Sequence, residues 1–185
     1  MLKKLQVRPR WVHTKPKTST ASFRVDEVAL ETLRNDAKKQ NVSINTLLNQ
    51  VLLGYANYDR PMKRFQMIKL PGATFRYVLQ AATNEKIAEA GSLAGNDVPK
   101  TYILAKWGVL TPENCLEYLR AMSRHANLFD YSEVVHDGML SVTLSHSFGA
   151  KGSLFLQNYV TEVFARSGKV PRFSADENAV VFELH

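Results

Sequence analysis

Cysteine is almost absent from this chain, because Cys115 is the only one among 185 residues. A single cysteine excludes an internal disulfide and is typical of proteins in a reducing cytoplasm. The sequence also lacks an apolar run near the ~20 residues that a membrane-spanning helix needs. Its N-terminus, MLKKLQVRPRWVHTKPK, is basic but contains no apolar segment of a signal peptide. We therefore expect a cytoplasmic protein with no membrane segment.

Acidic residues are missing from the first 24 positions, which carry seven Lys and Arg side chains. Residues 1–70 hold 14 basic and 5 acidic side chains, a balance of +9, whereas residues 71–185 have a balance of −2. This split predicts a polyanion partner for the first part of the chain only. A basic tail that merely keeps the chain soluble would give the same charge.

Motifs for catalysis or metal binding are also lacking. Cys115, His125, His136 and His146 are possible metal ligands, but their spacing matches no compact metal site. The segment SHSFGAKGS, residues 145–153, lacks the spacing of a P-loop. It can hold an anion at a helix N-terminus or form an ordinary turn, and we favour the turn. We find no set of acid, base and nucleophile, so we predict neither an enzyme nor a cofactor.

Residues 20–58 carry the clearest structural pattern. Small or apolar side chains alternate with polar ones along TASFRVD, residues 20–26, which predicts a short strand. Asp26 is a good N-cap for a first helix that ends near Asn41, and Ser43 is an N-cap for a second helix that stops before Pro61. An apolar stripe at helical spacing follows Ser43: Ile44, Leu47, Leu48, Val51, Leu52 and Tyr55.

A strand and two short helices can hardly bury enough surface to be stable alone, and a lone strand leaves backbone groups unpaired. A homodimer solves both problems, because the strand pairs antiparallel with its own copy about a two-fold axis. The second helices then pack beneath the two strands. The side chains that would face this shared core are Ala21, Phe23 and Val25.

In this order and spacing, TASFRVDEVALETLRNDAKKQNVSINTLLNQVLLGY resembles a ribbon-helix-helix DNA-binding domain of the Arc/MetJ type. The resemblance covers residues 20–58 and includes the alternating strand, the Asp26 cap, the Asn41-Val42-Ser43 turn and the apolar stripe. The family often has a glycine in the turn, where this chain has Asn41. The resemblance implies a dimer whose two-stranded ribbon enters the major groove of DNA.

The resemblance also implies which residues touch DNA. The outward side chains of the ribbon would read bases, and these are Thr20, Ser22 and Arg24. The start of the second helix would hold a phosphate, and the basic arm would add salt-dependent affinity. The phosphate contacts expected from these two segments are Ser43, Ile44, Asn45, Lys15 and Lys17.

The remaining residues predict an α+β protein with several parts. We expect a flexible basic arm at 1–19, the DNA-binding unit at 20–60, a helical linker at 61–99 and an α+β domain at 100–185. Predicted helices cover 74–82, 84–93, 113–126 and 153–167, and predicted strands cover 129–135, 139–146 and 179–184. Gly91, Gly95 and Pro99 are interpreted as loop residues. By analogy with some ribbon-helix-helix regulators, we expect a ferredoxin-like last domain that senses a ligand or oligomerises.

The leading hypothesis is a dimeric, sequence-specific transcriptional regulator, such as a repressor, with double-stranded DNA as its partner and a possible small-molecule effector. A non-specific architectural nucleic-acid-binding protein is the first alternative. The other is an enzymatic or ligand-binding C-terminal domain that carries a basic targeting segment.

Overall fold

A computed structural model describes residues 18–184, which fall into two compact units. The first unit ends at Leu48 and the second begins at Asn49. The protein is α+β, with helices along the whole described chain and one four-stranded antiparallel sheet. None of the helices within residues 18–184 is both long and apolar enough to cross a bilayer.

Helix α1 (Glu27–Lys39) has the caps that the sequence predicts. The Asp26 carboxylate accepts a hydrogen bond of 3.0 Å from the backbone N–H of Ala29. After α1, Asn41 adopts a φ of 54°, and Val42 N–H donates back to the carbonyl of Ala37 at 3.0 Å. This left-handed ending usually uses glycine, but asparagine tolerates it as well. The predicted end of the first helix is confirmed.

Residues 18–26 have no regular secondary structure in the single chain. The predicted strand at 20–26 was expected to pair with a second copy of itself. A strand is defined by its backbone hydrogen bonds to a neighbour, and the single chain provides no neighbour for these residues. The ribbon, and with it a ribbon-helix-helix unit, is therefore not seen in the described chain.

The second helix, α2 (Ile44–Gly54), begins at the predicted cap, since Ser43 Oγ accepts from Thr46 N–H at 3.0 Å. As predicted, α2 ends before Pro61, but helical structure of other kinds follows it without a break. A π-helical turn at Tyr55–Asp59 leads directly into α3 (Arg60–Met62) and a 3₁₀ turn at Lys63–Phe65. Pro61 lies at the N-terminal end of α3, the part of a helix that accommodates proline best.

The second unit contains five longer helices. Four of them confirm helices predicted from the sequence. The fifth, α6, was missed because Pro99 was interpreted as a loop residue, whereas it lies in the first turn of this helix. The bounds are α4 Gly72–Ala81, α5 Asn84–Asn96, α6 Val98–Trp107, α7 Pro112–Ala126 and α8 Ala150–Phe164.

The sheet has the strand order β1-β2-β4-β3, and every neighbouring pair is antiparallel. Its strands are β1 (Asp130–His136), β2 (Met139–Ser145), β3 (Arg172–Ala175) and β4 (Ala179–Leu184). A ferredoxin-like fold has the order β-α-β-β-α-β. Here α7 precedes a β1-β2 hairpin, and α8 precedes a β3-β4 pair. The ferredoxin-like expectation is therefore wrong, and β3 was missed.

The β1-β2 hairpin turns at Asp137 and Gly138, as the sequence predicts. His136 pairs with Met139, so the loop has two residues. Both have positive φ, 51° at Asp137 and 79° at Gly138. Positive φ at both positions is the mark of a type I′ turn, whose twist matches that of the strands.

The main core lies between one face of the sheet and helices α7 and α8. Alternate residues of β2 and β4 point into it, as expected of an antiparallel sheet covered on one side. Tyr118 and Tyr159 are buried in the same core, and their hydroxyl oxygens are 2.6 Å apart. The sheet residues of this core are Val142, Leu144, Val180, Phe182 and Leu184.

Two glycines let α5 and α8 approach closely, and both were wrongly interpreted as loop residues. A Cβ added at Gly91 would lie 2.5 Å from the carbonyl oxygen of Phe155, and one at Gly95 would lie 2.3 Å from that of Tyr159. Real Cβ atoms essentially never come this close to an oxygen. The two glycines are one helical turn apart, so they form a flat strip against which the backbone of α8 packs.

We predict that Gly95→Ala destabilises the protein. Alanine favours a helix over glycine by roughly 1 kcal/mol, but overpacking a rigid contact costs about 1–3 kcal/mol, and here the obstacle is backbone. The free energy of unfolding in urea measures the balance. Gly72→Ala in α4 is the matched control, because its Cβ would meet only the Phe148 ring at 3.5 Å. Equal or greater stability of Gly95→Ala would contradict the prediction.

Candidate nucleic-acid interface

The three side chains expected to read bases are open to solvent. Thr20, Ser22 and Arg24 are all exposed in the first unit. Their side chains make no hydrogen bond or ion pair with any residue in the range 18–184. A ribbon of two such segments would present these groups twice, related by the dimer axis.

The start of α2 also has free donors. Ser43 is exposed, and its hydroxyl oxygen caps the N–H of Thr46 while lying 2.8 Å from the Thr46 hydroxyl. The N–H groups of Ile44 and Asn45 find no acceptor among the described residues, as is usual in the first turn of a helix. Lys15 and Lys17, the other expected phosphate contacts, lie outside the described residues.

Large apolar side chains remain exposed where the sequence predicts a dimer core. Phe23 is 68% exposed and Val25 is 46% exposed. On α2, Val51 and Leu52 are each about half exposed, although both belong to the apolar stripe. In contrast, Leu47 of the same stripe is buried. The single chain therefore leaves these apolar positions of the predicted dimer core largely uncovered.

The structure brings together three cations that the sequence reasoning missed. Arg60, Arg64 and Lys106 line one groove in the second unit. The spacing of Arg60 and Arg64, four residues apart, could have indicated a shared helical face. Nothing in the sequence places Lys106 beside them, because it lies more than 40 positions away and α6 was not predicted.

The residues considered as metal ligands or nucleophiles are dispersed. Burial raises the pKa of the Cys115 thiol to about 12, and its sulfur donates to the carbonyl of Val163, so no thiolate forms near neutral pH. His136 is exposed in the hairpin, and His125 stacks on the ring of Tyr58. No group of three His, Cys, Asp or Glu residues within 18–184 is arranged to hold a metal ion.

His146 and Ser153 are hydrogen-bonded to each other, as in a catalytic histidine–serine pair. The direction of the hydrogen bond is the reverse of what catalysis requires. His146 Nδ1 accepts from the N–H of Phe148 at 3.2 Å, so a neutral imidazole carries its hydrogen on Nε2. Nε2 then donates to Ser153 Oγ at 3.0 Å, and Ser153 donates to the carbonyl of Asp176 at 2.6 Å. A general base must instead accept the serine proton. These hydrogen bonds instead connect the segment before α8 to the turn between β3 and β4.

The same bonds give the segment 145–153 a structural role. Gly149 N–H, which could have faced an anion before α8, donates to the side chain of Asn178 at 3.1 Å. Gly152 packs so tightly that an added Cβ would lie 2.4 Å from Cβ of Phe148. The segment is a tightly packed turn between β2 and α8.

Comparison with protein-family models, with curated proteins and with solved structures gave no match. The functional argument therefore depends on the residues of this chain.

We predict that His146 makes stability depend on pH. Burial lowers the pKa of His146 from 6.5, while the nearby Asp176 opposes this shift. As pH falls through about 6.5, the unfolded chain binds a proton that the folded chain resists, so the free energy of unfolding falls. Protonation would also put a hydrogen on Nδ1, facing the Phe148 N–H.

Urea unfolding at about pH 7 and pH 5 measures this effect. The fall in stability should be smaller in His146→Gln and unchanged in His136→Gln, which removes an exposed imidazole. If wild type and His146→Gln lose equal stability, the assignment to His146 is wrong.

Proposed function

We propose that this protein is a dimeric, sequence-specific DNA-binding regulator of the ribbon-helix-helix type. In this proposal residues 20–26 of two chains pair as an antiparallel ribbon, which enters the major groove. The apolar faces of the ribbon and of the second helices form the shared core. The charge of residues 1–70, +9, supplies the attraction for DNA.

The observation that carries the proposal is that residues 20–25 leave both their apolar and their polar side chains exposed to solvent. Phe23 and Val25 are exposed, and they alternate in sequence with Thr20, Ser22 and Arg24, which are exposed as well. The apolar set needs a covering surface, and the side chains of the polar set have no hydrogen-bond partner among residues 18–184. A second copy and a DNA groove satisfy the two sets at once.

Arginine is the most discriminating of the three outward side chains. Its guanidinium can donate two parallel hydrogen bonds to O6 and N7 of guanine, worth about 1–3 kcal/mol against the wrong base. Thr20 and Ser22 can each donate or accept, so they discriminate less. The free N–H groups at the start of α2 suit a phosphate oxygen, which would set the ribbon's register on the duplex.

Selection of bound sequences from a random DNA pool tests the proposal. We expect a palindromic or repeated motif, because a two-fold dimer presents two identical reading edges. Arg24→Ala should relax the preference at one position of each half-site. Lys15→Ala should instead weaken all sequences alike and lower the salt dependence of binding. Binding without any recovered motif would favour the architectural alternative and refute the sequence-specific claim.

We predict that Phe23→Asp abolishes dimer formation. The substitution places a carboxylate in the expected shared core, where its burial without a partner is costly. Sedimentation equilibrium measures the assembly state. Val170→Asp is the matched control, because Val170 is 80% exposed and lies far along the chain in the second unit. A Phe23→Asp protein that still dimerises and binds DNA as wild type would refute the proposed interface.

A further inference from the structure

A groove of about 430 Å³ crosses the second unit between the segment 56–64 and helix α6. We name it the basic groove, because its charged side chains are Arg60, Arg64 and Lys106, and none of its lining residues is acidic. Its volume is within the range of small-molecule sites. The other lining residues are Ala56, Asn57, Pro61, Tyr102 and Ala105.

The three cations retain most of their hydrogen-bonding capacity. Among the described residues the Arg60 side chain has no hydrogen-bond partner and no ion pair. Arg64 makes one bond, from Nη2 to the carbonyl of Thr101 at 3.4 Å. None of the three forms an ion pair within residues 18–184, whereas seven other ion pairs do occur there. No ion pair within residues 18–184 therefore engages these three side chains.

Lys106 is held in place by a chain of hydrogen bonds. The buried Tyr102 hydroxyl donates to the carbonyl of Asn57 at 2.7 Å, so its oxygen is free to accept from Lys106 Nζ at 3.1 Å. Lys106 also lies over the ring of Trp107, 4.7 Å from its centroid. Its other two N–H groups have no acceptor in the part of the chain that the structure describes. The ammonium is thus positioned on α6 across the groove from the two arginines.

We propose that the basic groove binds a small ligand with two or more adjacent phosphate groups, such as a nucleoside diphosphate. Arginine forks and an ammonium bind phosphate oxygens through charge-assisted hydrogen bonds. Three cations in a groove that no carboxylate lines match the charge of a diphosphate. The apolar surfaces of Ala56, Pro61 and Ala105 provide contact for the organic part. This inference does not depend on DNA binding, because every lining residue belongs to the second unit.

Trp107 offers a direct reporter for the test. The chain has two tryptophans, Trp11 and Trp107, so Trp11→Phe leaves Trp107 alone. A ligand that draws Lys106 from the indole ring should change its fluorescence. Inorganic pyrophosphate, ADP, inorganic phosphate and a DNA duplex are titrated in turn into the full-length Trp11→Phe protein. We expect saturable changes with pyrophosphate and ADP, and at least tenfold weaker binding of inorganic phosphate.

Variants of the groove residues test whether the change in Trp107 fluorescence comes from binding in the basic groove. Arg60→Ala and Arg64→Ala should each weaken ADP binding roughly tenfold, as expected for the loss of one charge-assisted contact at an open site. Arg64→Lys should recover part of the loss. Lys169→Ala is the matched control, because it removes one exposed positive charge outside the groove. Circular dichroism of each variant checks that the fold is retained.

Three outcomes would overturn the proposal. The first is no response to pyrophosphate or ADP. The second is a response only to the duplex, which would make the groove a DNA-backbone contact. The third is an equal loss of ADP binding in Lys169→Ala and Arg64→Ala, which would mean that ADP binding depends only on the net charge of the protein. DNA selection that fails while ADP still binds would refute the proposed function and leave this site intact.

Discussion

The close approach of α5 and α8 is the contact on which the second unit depends. These helices make the most extensive contact between any two elements of the described chain, and α8 also touches α4, α7 and β4. The approach requires Gly91 and Gly95, because any side chain there would meet the α8 backbone. The position of α8 in turn determines where Tyr159 meets Tyr118 in the core. The absence of a side chain at these two positions thus allows α5 to pack directly on α8.

Features set by neighbouring residues could be predicted from the sequence. Asp26 and Ser43 cap helices, Asn41 ends α1, and Asp137-Gly138 forms the hairpin turn, because each depends on backbone geometry within a few residues. Features that depend on contacts between residues far apart in the sequence could not be predicted. Gly91 and Gly95 were interpreted as loop residues because their role depends on the backbone of α8, which lies far away in the sequence. The basic groove includes Lys106 from α6, and this helix was not predicted because Pro99 was interpreted as a loop residue.

The predicted ribbon is a different case, because its partner would be another molecule. No arrangement within one chain can supply the hydrogen bonds of an intermolecular strand. The sequence pattern and the single-chain structure agree on what is left unsatisfied, namely the apolar side chains of Phe23 and Val25 and the polar side chain of Arg24. The single chain has capped helices, and residues 18–26 before them have no regular secondary structure.

The π-helical turn at Tyr55–Asp59 contains a carbonyl that connects this segment to α6. The hydrogen bond of the turn runs from Arg60 N–H to the carbonyl of Tyr55, one residue further than in an α-helix. The carbonyl of Asn57 cannot be paired in the α-helical way, because the residue four positions later is Pro61, which has no N–H. This carbonyl instead accepts from the Tyr102 hydroxyl, whose oxygen accepts from Lys106. Pro61 therefore influences the basic groove through a hydrogen bond that it cannot make, as well as by lining the groove.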